Sequence, residues 1–202
     1  MTTPDSAKPL STGAIILAAG TASRMGRLKQ LLIYRGEPLV ANAINQARGA
    51  GFAPVVVVVG ADADAVSNAI ASMQLKIVRN DHWQTGMGSS IAAGVRSTPP
   101  VDAVMLLTGD QPLVTAQHLS AMRALLETSG ADAVAAEYSG TIGVPALFRG
   151  ALMERLAQLP HAAGAKVLLE SPGIRVARYQ LPEAAADIDT PEEWQRLLSS
   201  IE

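Results

Sequence analysis

The sequence predicts an α/β protein with a doubly wound, mostly parallel sheet, and three observations carry that prediction. Hydrophobic residues make up 49% of the 202 residues but aromatic residues only 3%, so Val, Ile, Leu and Ala must build the core. Short runs such as Val55–Val59 are apolar on both faces, as buried parallel strands are. These runs alternate with segments of helical periodicity, which is typical of a three-layer α/β/α, Rossmann-like architecture.

The apolar runs predict strands at 14–17, 55–59, 75–78, 104–107, 133–136, 144–148 and 174–179. Apolar residues spaced three and four apart predict helices over 38–48, from 63 to 73, 91–96, 116–127 and 152–159. A last helix is predicted from Thr190, which can cap it, with Pro191 in the first turn and Glu193 completing a capping box. Loops around 80–90 and 138–145 are expected to form the walls of a cleft.

Composition excludes several classes of protein. The formal net charge of −2 gives no basic footprint for nucleic acid and no polybasic membrane patch. The chain has no cysteine, hence no disulfide and no thiol nucleophile. No apolar stretch approaches the roughly 20 residues that span a bilayer. We expect a disordered tail over 1–12, a single domain over 13–202 and a cytoplasmic location.

One loop carries most of the functional information. It follows the first predicted strand and places Gly20, Ser23, Arg24, Gly26 and Lys29 beyond the strand's carboxyl end, where open α/β sheets bind ligands. Glycine amides can approach phosphate oxygens, and Arg and Lys neutralise them. The loop fits neither the dinucleotide fingerprint nor the P-loop pattern. It predicts a polyphosphate site, and the alternative is an ordinary glycine-bearing surface turn.

Carboxylates follow two later segments. Asp110 comes directly after the strand at 104–107, where it could hold Mg²⁺ together with substrate phosphates or could simply cap a turn. Asp187 and Asp189 flank Ile188, and an extended backbone would place both carboxylates on one side. Asp189 could instead cap the last helix, which would leave Asp187 as the competing metal ligand.

Two further loops are weaker candidates. Small and amide residues between 80 and 90 could read the edge of a base, or could form a plain strand-to-helix connection; they are Asn80, Gly86, Gly88, Ser89 and Ser90. Gly143 and Pro145 give a still weaker signal. Lys166 could hold a second phosphate-bearing substrate or lie on a solvated helix face.

Taken in order, these motifs resemble those of a known family. Leu-Ala-Ala-Gly-x-x-Ser-Arg-Met-Gly-x-x-Lys, Gly-Met-Gly-Ser-Ser, Gly-Asp-Gln-Pro, Gly-Val-Pro and Asp-Ile-Asp-Thr-Pro-Glu resemble those of the MobA-like nucleotidyltransferases. The resemblance covers 14–200 and is greatest to the molybdenum cofactor cytidylyltransferase branch. It implies a sheet of the nucleotide-diphospho-sugar transferase type. It also implies transfer of CMP from CTP to the terminal phosphate of a phosphorylated pterin, with release of pyrophosphate and occasional contact with a client molybdoenzyme.

The resemblance assigns roles to residues. Arg24, Lys29 and Asp110 would be catalytic, and Mg²⁺ (or Mn²⁺) would lie on Asp110, Asp187 and Asp189. The acceptor would contact Gly143, Pro145 and Lys166. The nucleotide would contact the first loop and the second, namely Leu17, Ala18, Ala19, Gly20, Ser23, Arg24, Gly26, Lys29, Asn80, Gly86, Gly88, Ser89 and Ser90.

One segment departs from the family pattern. Where the family often has Gly-Asp-x-Gly-Ala-Arg, this chain has His-Ala-Ala-Gly-Ala-Lys over 161–166. The carboxylate is missing, and Lys166 keeps the charge of Arg without its bidentate geometry. The identity of the acceptor is therefore less constrained than the fold. A GTP-using or sugar-phosphate nucleotidyltransferase and a non-catalytic cofactor-handling protein remain alternatives.

Overall fold

A central seven-stranded sheet organises the computed structural model, which describes residues 10–21, 28–188 and 190–199. Its strands are β1 (Thr12–Ala18), β4 (Val55–Val59), β5 (Lys76–Arg79), β6 (Ala103–Thr108), β7 (Ala133–Tyr138), β8 (Thr141–Arg149) and β9 (Val176–Gln180). A small ribbon of β2 (Ile33–Tyr34) and β3 (Glu37–Pro38) stands apart. The helices are α1 (Leu39–Gly49), α2 (Ala63–Ala69), α3 (Met87–Ser97), α4 (Ala116–Ser129), α5 (Ala151–Ala157), α6 (Lys166–Leu169) and α7 (Pro191–Ser199).

The strand order is β5-β4-β1-β6-β8-β7-β9. Every neighbouring pair is parallel except those of β8, which runs antiparallel to both β6 and β7. The chain winds outward from β1 to β4 and β5, then returns to place β6 on the other side of β1. In a doubly wound sheet such a reversal opens a crevice at the carboxyl ends of the two central strands. Here that crevice lies between the loops after β1 and β6.

Both faces of the sheet are covered, as the continuous apolar runs predict. In β4, Val55, Val57 and Val59 pack with α1, α2 and α4, while Val56 and Val58 pack on the opposite face with α3, α5 and α6. This alternation follows from the two-residue period of a strand. The predicted α/β/α class with a mostly parallel sheet is confirmed.

Most predicted elements differ from the structure only at their ends. The loop expected over 138–145 as a cleft wall is an exception, because Thr141–Arg149 pairs with β6 and β7 as strand β8. The short elements β2, β3 and α6 were not predicted. Strand β1 begins at Thr12, inside the stretch expected to be a tail, and Ser11 donates its backbone N–H to Asp102 Oδ2 at 2.8 Å. Residues 1–9 lie outside the described ranges. Helix α3 begins at Met87 rather than near 91, so the predicted second loop contributes its last residues to a helical turn. The capping box at Thr190 and Glu193 is confirmed by both of its hydrogen bonds.

Helix α7 packs against the β2–β3 ribbon and the start of α1. Its buried Trp194 and Leu197 pack with Leu32, Tyr34 and Leu39, alongside Ile188. Within the described parts of the chain, no helix has the length and apolar character needed to cross a membrane.

Gly94 allows α3 to lie close to the sheet, and we predict that Gly94→Ala destabilises the protein. An added Cβ would come within 2.5 Å of Ile15 Cγ2 and 3.0 Å of Val58 Cγ2. Overpacking of this kind typically costs about 1–3 kcal/mol, which outweighs the higher helix propensity of alanine, roughly 1 kcal/mol. Urea unfolding should show the loss, whereas Ser97→Ala, at the end of the same helix, should change the free energy of unfolding by less than about 0.5 kcal/mol. A Gly94→Ala variant as stable as the wild type would contradict this packing.

Candidate functional site

A cleft of about 350 Å³ opens at the carboxyl ends of β1 and β6. The strand reversal places it there, and three loops supply its walls. It is lined by Leu17, Ala19, Gly20, Thr21, Lys29, Gln30, Trp83, Gln84, Met87, Ser90, Thr108 and Asp110. Leu17, Ala19, Gly20, Lys29, Ser90 and Asp110 had been predicted as site residues, and the structure brings them together here.

An ion pair lies in this cleft. Lys29 Nζ is 2.5 Å from Asp110 Oδ2, and the two side chains are only 16% and 15% exposed. Limited access to water strengthens their attraction relative to an exposed pair. The cleft thus contains a cation that phosphate oxygens could recruit and a carboxylate that a divalent metal could recruit.

Gln30 supports the loop that precedes this pair. Its side chain is 3% exposed, and Nε2 donates to the carbonyl of Gly20 at 3.0 Å. Its Oε1 is buried with no hydrogen-bond partner among the described residues. Buried polar atoms are nearly always paired, so an unpaired oxygen at this position is uncommon.

Trp83 forms one wall of the cleft because Gly60 makes room for it. A Cβ at Gly60 would lie 2.6 Å from Trp83 Cβ and 2.9 Å from the Cβ of Ala19. The indole therefore packs close to the carboxyl end of β4, beside the first loop. An aromatic wall of this kind suits the planar base of a nucleotide.

Asn80 is buried and supports the second loop through hydrogen bonds. It is 5% exposed, and Nδ2 lies 2.8 Å from Ser89 Oγ and 2.9 Å from Ser90 Oγ. Its Oδ1 accepts the backbone N–H of His82 at 3.0 Å. Of these predicted nucleotide contacts, only Ser90 lines the cleft. Asn80 therefore holds the Ser90 hydroxyl in place. Ser89 stabilises the loop through its contacts with the carbonyls of His82 and Gly86.

Gly86 and Gly88 face another segment of the chain rather than the cleft. A Cβ at Gly88 would lie 2.1 Å from the carbonyl oxygen of Pro160, and one at Gly86 would lie 2.5 Å from that of His161. The N–H of Gly88 donates to the same His161 carbonyl at 2.9 Å. The two glycines therefore let residues 160–163, which include the start of the segment that departs from the family pattern, dock against the start of α3. Ala18, also predicted to contact the nucleotide, is buried in the core on the face of the sheet that α1, α2 and α4 cover.

Ile188, at the centre of the Asp-Ile-Asp step, lies beside Asp110. The backbone N–H of Ile188 donates to the carbonyl of Asp110 at 3.2 Å, which brings exposed Asp187 to the carboxyl end of β6. Asp189 lies outside the described residues, as do Ser23, Arg24 and Gly26 of the first loop. Two carboxylates, supplemented by substrate phosphates and water, form a donor set that suits Mg²⁺. The described residues contain no group of three or more potential metal-ligating side chains.

A second set of residues lies across Asp110 from the cleft, at the ends of β7 and β8. Tyr138 ends β7, and a Cβ at Gly143 would lie 2.6 Å from its hydroxyl. Lys166 Nζ contacts Thr141 Oγ1 at 2.5 Å and lies 3.6 Å from Glu170 Oε1. Of the three predicted acceptor contacts, Gly143 and Lys166 adjoin this region, whereas Pro145 is buried within β8.

The pKa of Tyr138 depends on the carboxylates of Asp187 and Asp110. Burial raises the pKa of its phenol, and the charges of Asp187 and Asp110 raise it further, while the amide of Gln111 lowers it. Tyr138 is therefore a neutral hydrogen-bond donor near neutral pH. Sequence reasoning missed Tyr138 because no charge or glycine pattern marks it. The predicted site residues also omit Thr21, Gln30, Trp83, Gln84 and Thr108, whereas Met87 belongs to the second predicted loop.

The chain is similar to several known proteins. A model of the MobA-like NTP transferase domain family matches residues 14–179. Nicotine blue oxidoreductase of Paenarthrobacter nicotinovorans is 33% identical over 96% of this chain and 99% of that protein. The bifunctional protein GlmU of Sorangium cellulosum is 30% identical over 85% of this chain, which spans only 39% of that protein.

Solved structures show the same fold. The crystal structure of Rv0371c from Mycobacterium tuberculosis H37Rv has a TM-score of 0.80 at 26% identity, covering 95% of this chain and 100% of that one. A complex of Rv0371c with manganese has a TM-score of 0.75 at 27% identity, covering 94% and 99% of the two chains.

We predict that Asp187→Asn lowers the pKa of Tyr138, because it removes a negative charge that disfavours the phenolate. Ultraviolet difference titration should show the change, and a Tyr138→Phe variant identifies which tyrosine transition is involved. Asp64→Asn is the control, since Asp64 pairs with Arg79 at the far edge of the sheet and should leave the titration unchanged. An unaltered titration in Asp187→Asn would remove Asp187 from the neighbourhood of Tyr138.

Proposed function

Since the chain belongs to the MobA-like NTP transferase family, we propose that it transfers CMP from CTP to the terminal phosphate of a molybdopterin-type cofactor. The observation that carries the proposal is the Lys29–Asp110 pair within a cleft at the sheet's switch point. A polyphosphate site needs cations and glycine amides, and a metal-assisted transfer needs a carboxylate beside them. The choice of CTP and of a pterin rests on the sequence motifs alone.

The reaction follows from charge. An oxygen of the acceptor's phosphate attacks the α-phosphorus of the triphosphate, a new P–O bond forms, and the bond to the β-phosphate breaks to release pyrophosphate. A phosphate monoester has a second pKa near about 6, so the nucleophile is already an anion and needs no strong general base. The protein must align two anions that repel each other and stabilise the charge on the leaving group. Lys29, at the cleft wall, is placed to neutralise the triphosphate.

The residues present fit a divalent metal. Asp110 and Asp187 offer hard oxygen donors at the carboxyl end of β6, and a relative of this chain has been crystallised with manganese. Mg²⁺ or Mn²⁺ bound there would supply Lewis acidity and charge neutralisation at the phosphates. Asp110 would exchange its contact with Lys29 for the metal, and Lys29 would then turn to the phosphates.

The acceptor side is the region of Tyr138, Gly143 and Lys166. It lies beside β6 on the side away from β1, so an acceptor there would meet the nucleotide at Asp110. Lys166 supplies a positive charge for an acceptor phosphate, and its contact with Thr141 fixes its direction. Arg24, Ser23, Gly26 and Asp189 remain proposed ligands that lie outside the described residues.

The direct test is a panel of nucleoside triphosphates assayed for pyrophosphate release, with and without molybdopterin. We expect release with CTP only when the pterin is present. Release with GTP, or with a sugar phosphate as acceptor, would favour a related nucleotidyltransferase. Tight binding without any release would favour a cofactor-handling protein.

A second candidate function comes from the relative with 33% identity, whose name is that of an oxidoreductase. The wall formed by Trp83 could equally bind a planar aromatic compound. The same panel should therefore include NADH and NADPH with an aromatic dye as electron acceptor. Consumption of the reduced dinucleotide without any transferase activity would select the redox function.

We predict that Asp110→Ala abolishes turnover and leaves the fold intact. Loss of the carboxylate removes a metal contribution of several kcal/mol, so pyrophosphate release should fall by roughly a thousandfold or more. Circular dichroism should match the wild type. Activity close to that of the wild type would remove Asp110 from the mechanism.

We predict that Lys29→Gln has opposite effects on the two ligands. It should weaken triphosphate binding by about ten- to a hundredfold, since a charge-assisted contact contributes roughly 1.5–3 kcal/mol. It should strengthen Mn²⁺ binding to the nucleotide-free protein, because the cation that competes for Asp110 is gone. Calorimetry measures the first effect and electron paramagnetic resonance the second. Unchanged CTP affinity would contradict the assignment of the loop.

A further inference from the structure

Gln111 follows the proposed metal ligand Asp110 and is 8% exposed. Its Nε2 donates two hydrogen bonds, to the carbonyl of Ala184 at 2.8 Å and to the carbonyl of Val144 at 3.1 Å. Ala184 lies in the short helix Pro182–Ala185 that leads into Asp187, and Val144 lies in β8. One buried side chain thus ties three separate segments together at the site.

These bonds belong to a series that fixes the path of residues 181–188. The N–H of Leu181 donates to the backbone carbonyl of Glu137 at 3.0 Å, and the N–H of Ile188 donates to the backbone carbonyl of Asp110 at 3.2 Å. Gln111 holds Ala184 between those two points. Asp187 lies within this segment, so the backbone path of the segment sets where its carboxylate begins.

We propose that Gln111 is a positioning residue that sets the metal affinity of the site by holding the segment of Asp187 against Asp110. The inference rests on the proposed function, because it takes Asp110 and Asp187 as the metal ligands. Residues that orient metal ligands typically change affinity about 10–100-fold when they are replaced. Gln111 has no contact with the metal in this arrangement, and its effect passes through Asp187.

The test is a double-mutant cycle on Mn²⁺ affinity, measured by electron paramagnetic resonance on the full chain with and without CTP. We expect Gln111→Met, which keeps the length of the side chain but not its donor, to weaken Mn²⁺ binding about tenfold. Asp187→Asn should weaken it at least as much. The double variant should bind no more weakly than Asp187→Asn alone, because coupled residues are not additive.

Gln46→Met is the matched control. Gln46 is a partly buried glutamine whose amide also joins two segments, accepting the N–H of Ala116 at 2.8 Å and donating to Asn42 at 3.1 Å. Its loss should lower thermal stability and leave Mn²⁺ affinity unchanged. If Gln111→Met does not fold, Gln111→Asn, which keeps the amide on a shorter side chain, carries the test with the same expected direction.

The outcomes separate two failures. Wild-type Mn²⁺ affinity in a folded Gln111 variant overturns the positioning role, as does an equal loss in the Asp187→Asn background. Wild-type Mn²⁺ affinity in Asp110→Ala instead overturns the metal site of the proposed function. Wild-type affinity in Asp187→Asn alone overturns the inference and leaves Asp110 as a ligand.

Discussion

The contact between Lys29 and Asp110 is the interaction on which the site depends. Two opposite charges that are largely withdrawn from water must stay paired, or each must find another partner, because an isolated buried charge is costly. In the proposed function, a nucleotide with its divalent metal would supply both partners at once, an anion for Lys29 and a cation for Asp110. The pair would therefore couple binding of the metal to binding of the nucleotide.

The fold supplies this pair through its topology. Lys29 follows β1 and Asp110 follows β6, which are neighbours only because the chain reverses its winding between them. The antiparallel strand β8 then brings Thr141 and Gly143 to the same edge. The proposed nucleotide and acceptor regions consequently meet at Asp110, and Ile188, in the segment before α7, is hydrogen-bonded to the carbonyl of Asp110.

The sequence predicted the architecture well because strand burial leaves a direct mark on composition. The five valines of β4 and the helical periodicity of α1 and α4 identify their elements within a residue or two. The carboxyl-end positions of Lys29 and Asp110 then follow from the order of elements. What sequence could not supply are contacts between distant segments. Three such contacts depend on tertiary packing. Gln30 is hydrogen-bonded to Gly20, Trp83 packs against Gly60, and Gln111 is hydrogen-bonded to Ala184.

The exchange of partners by Lys29 and Asp110 is tested most directly by a crystal structure of the protein soaked with CTP and Mn²⁺. We expect an anomalous peak between Asp110 and the phosphates, with Lys29 turned away from Asp110 toward the triphosphate. A nucleotide bound elsewhere, or a cleft in which the Lys29–Asp110 contact persists beside bound CTP, would contradict it.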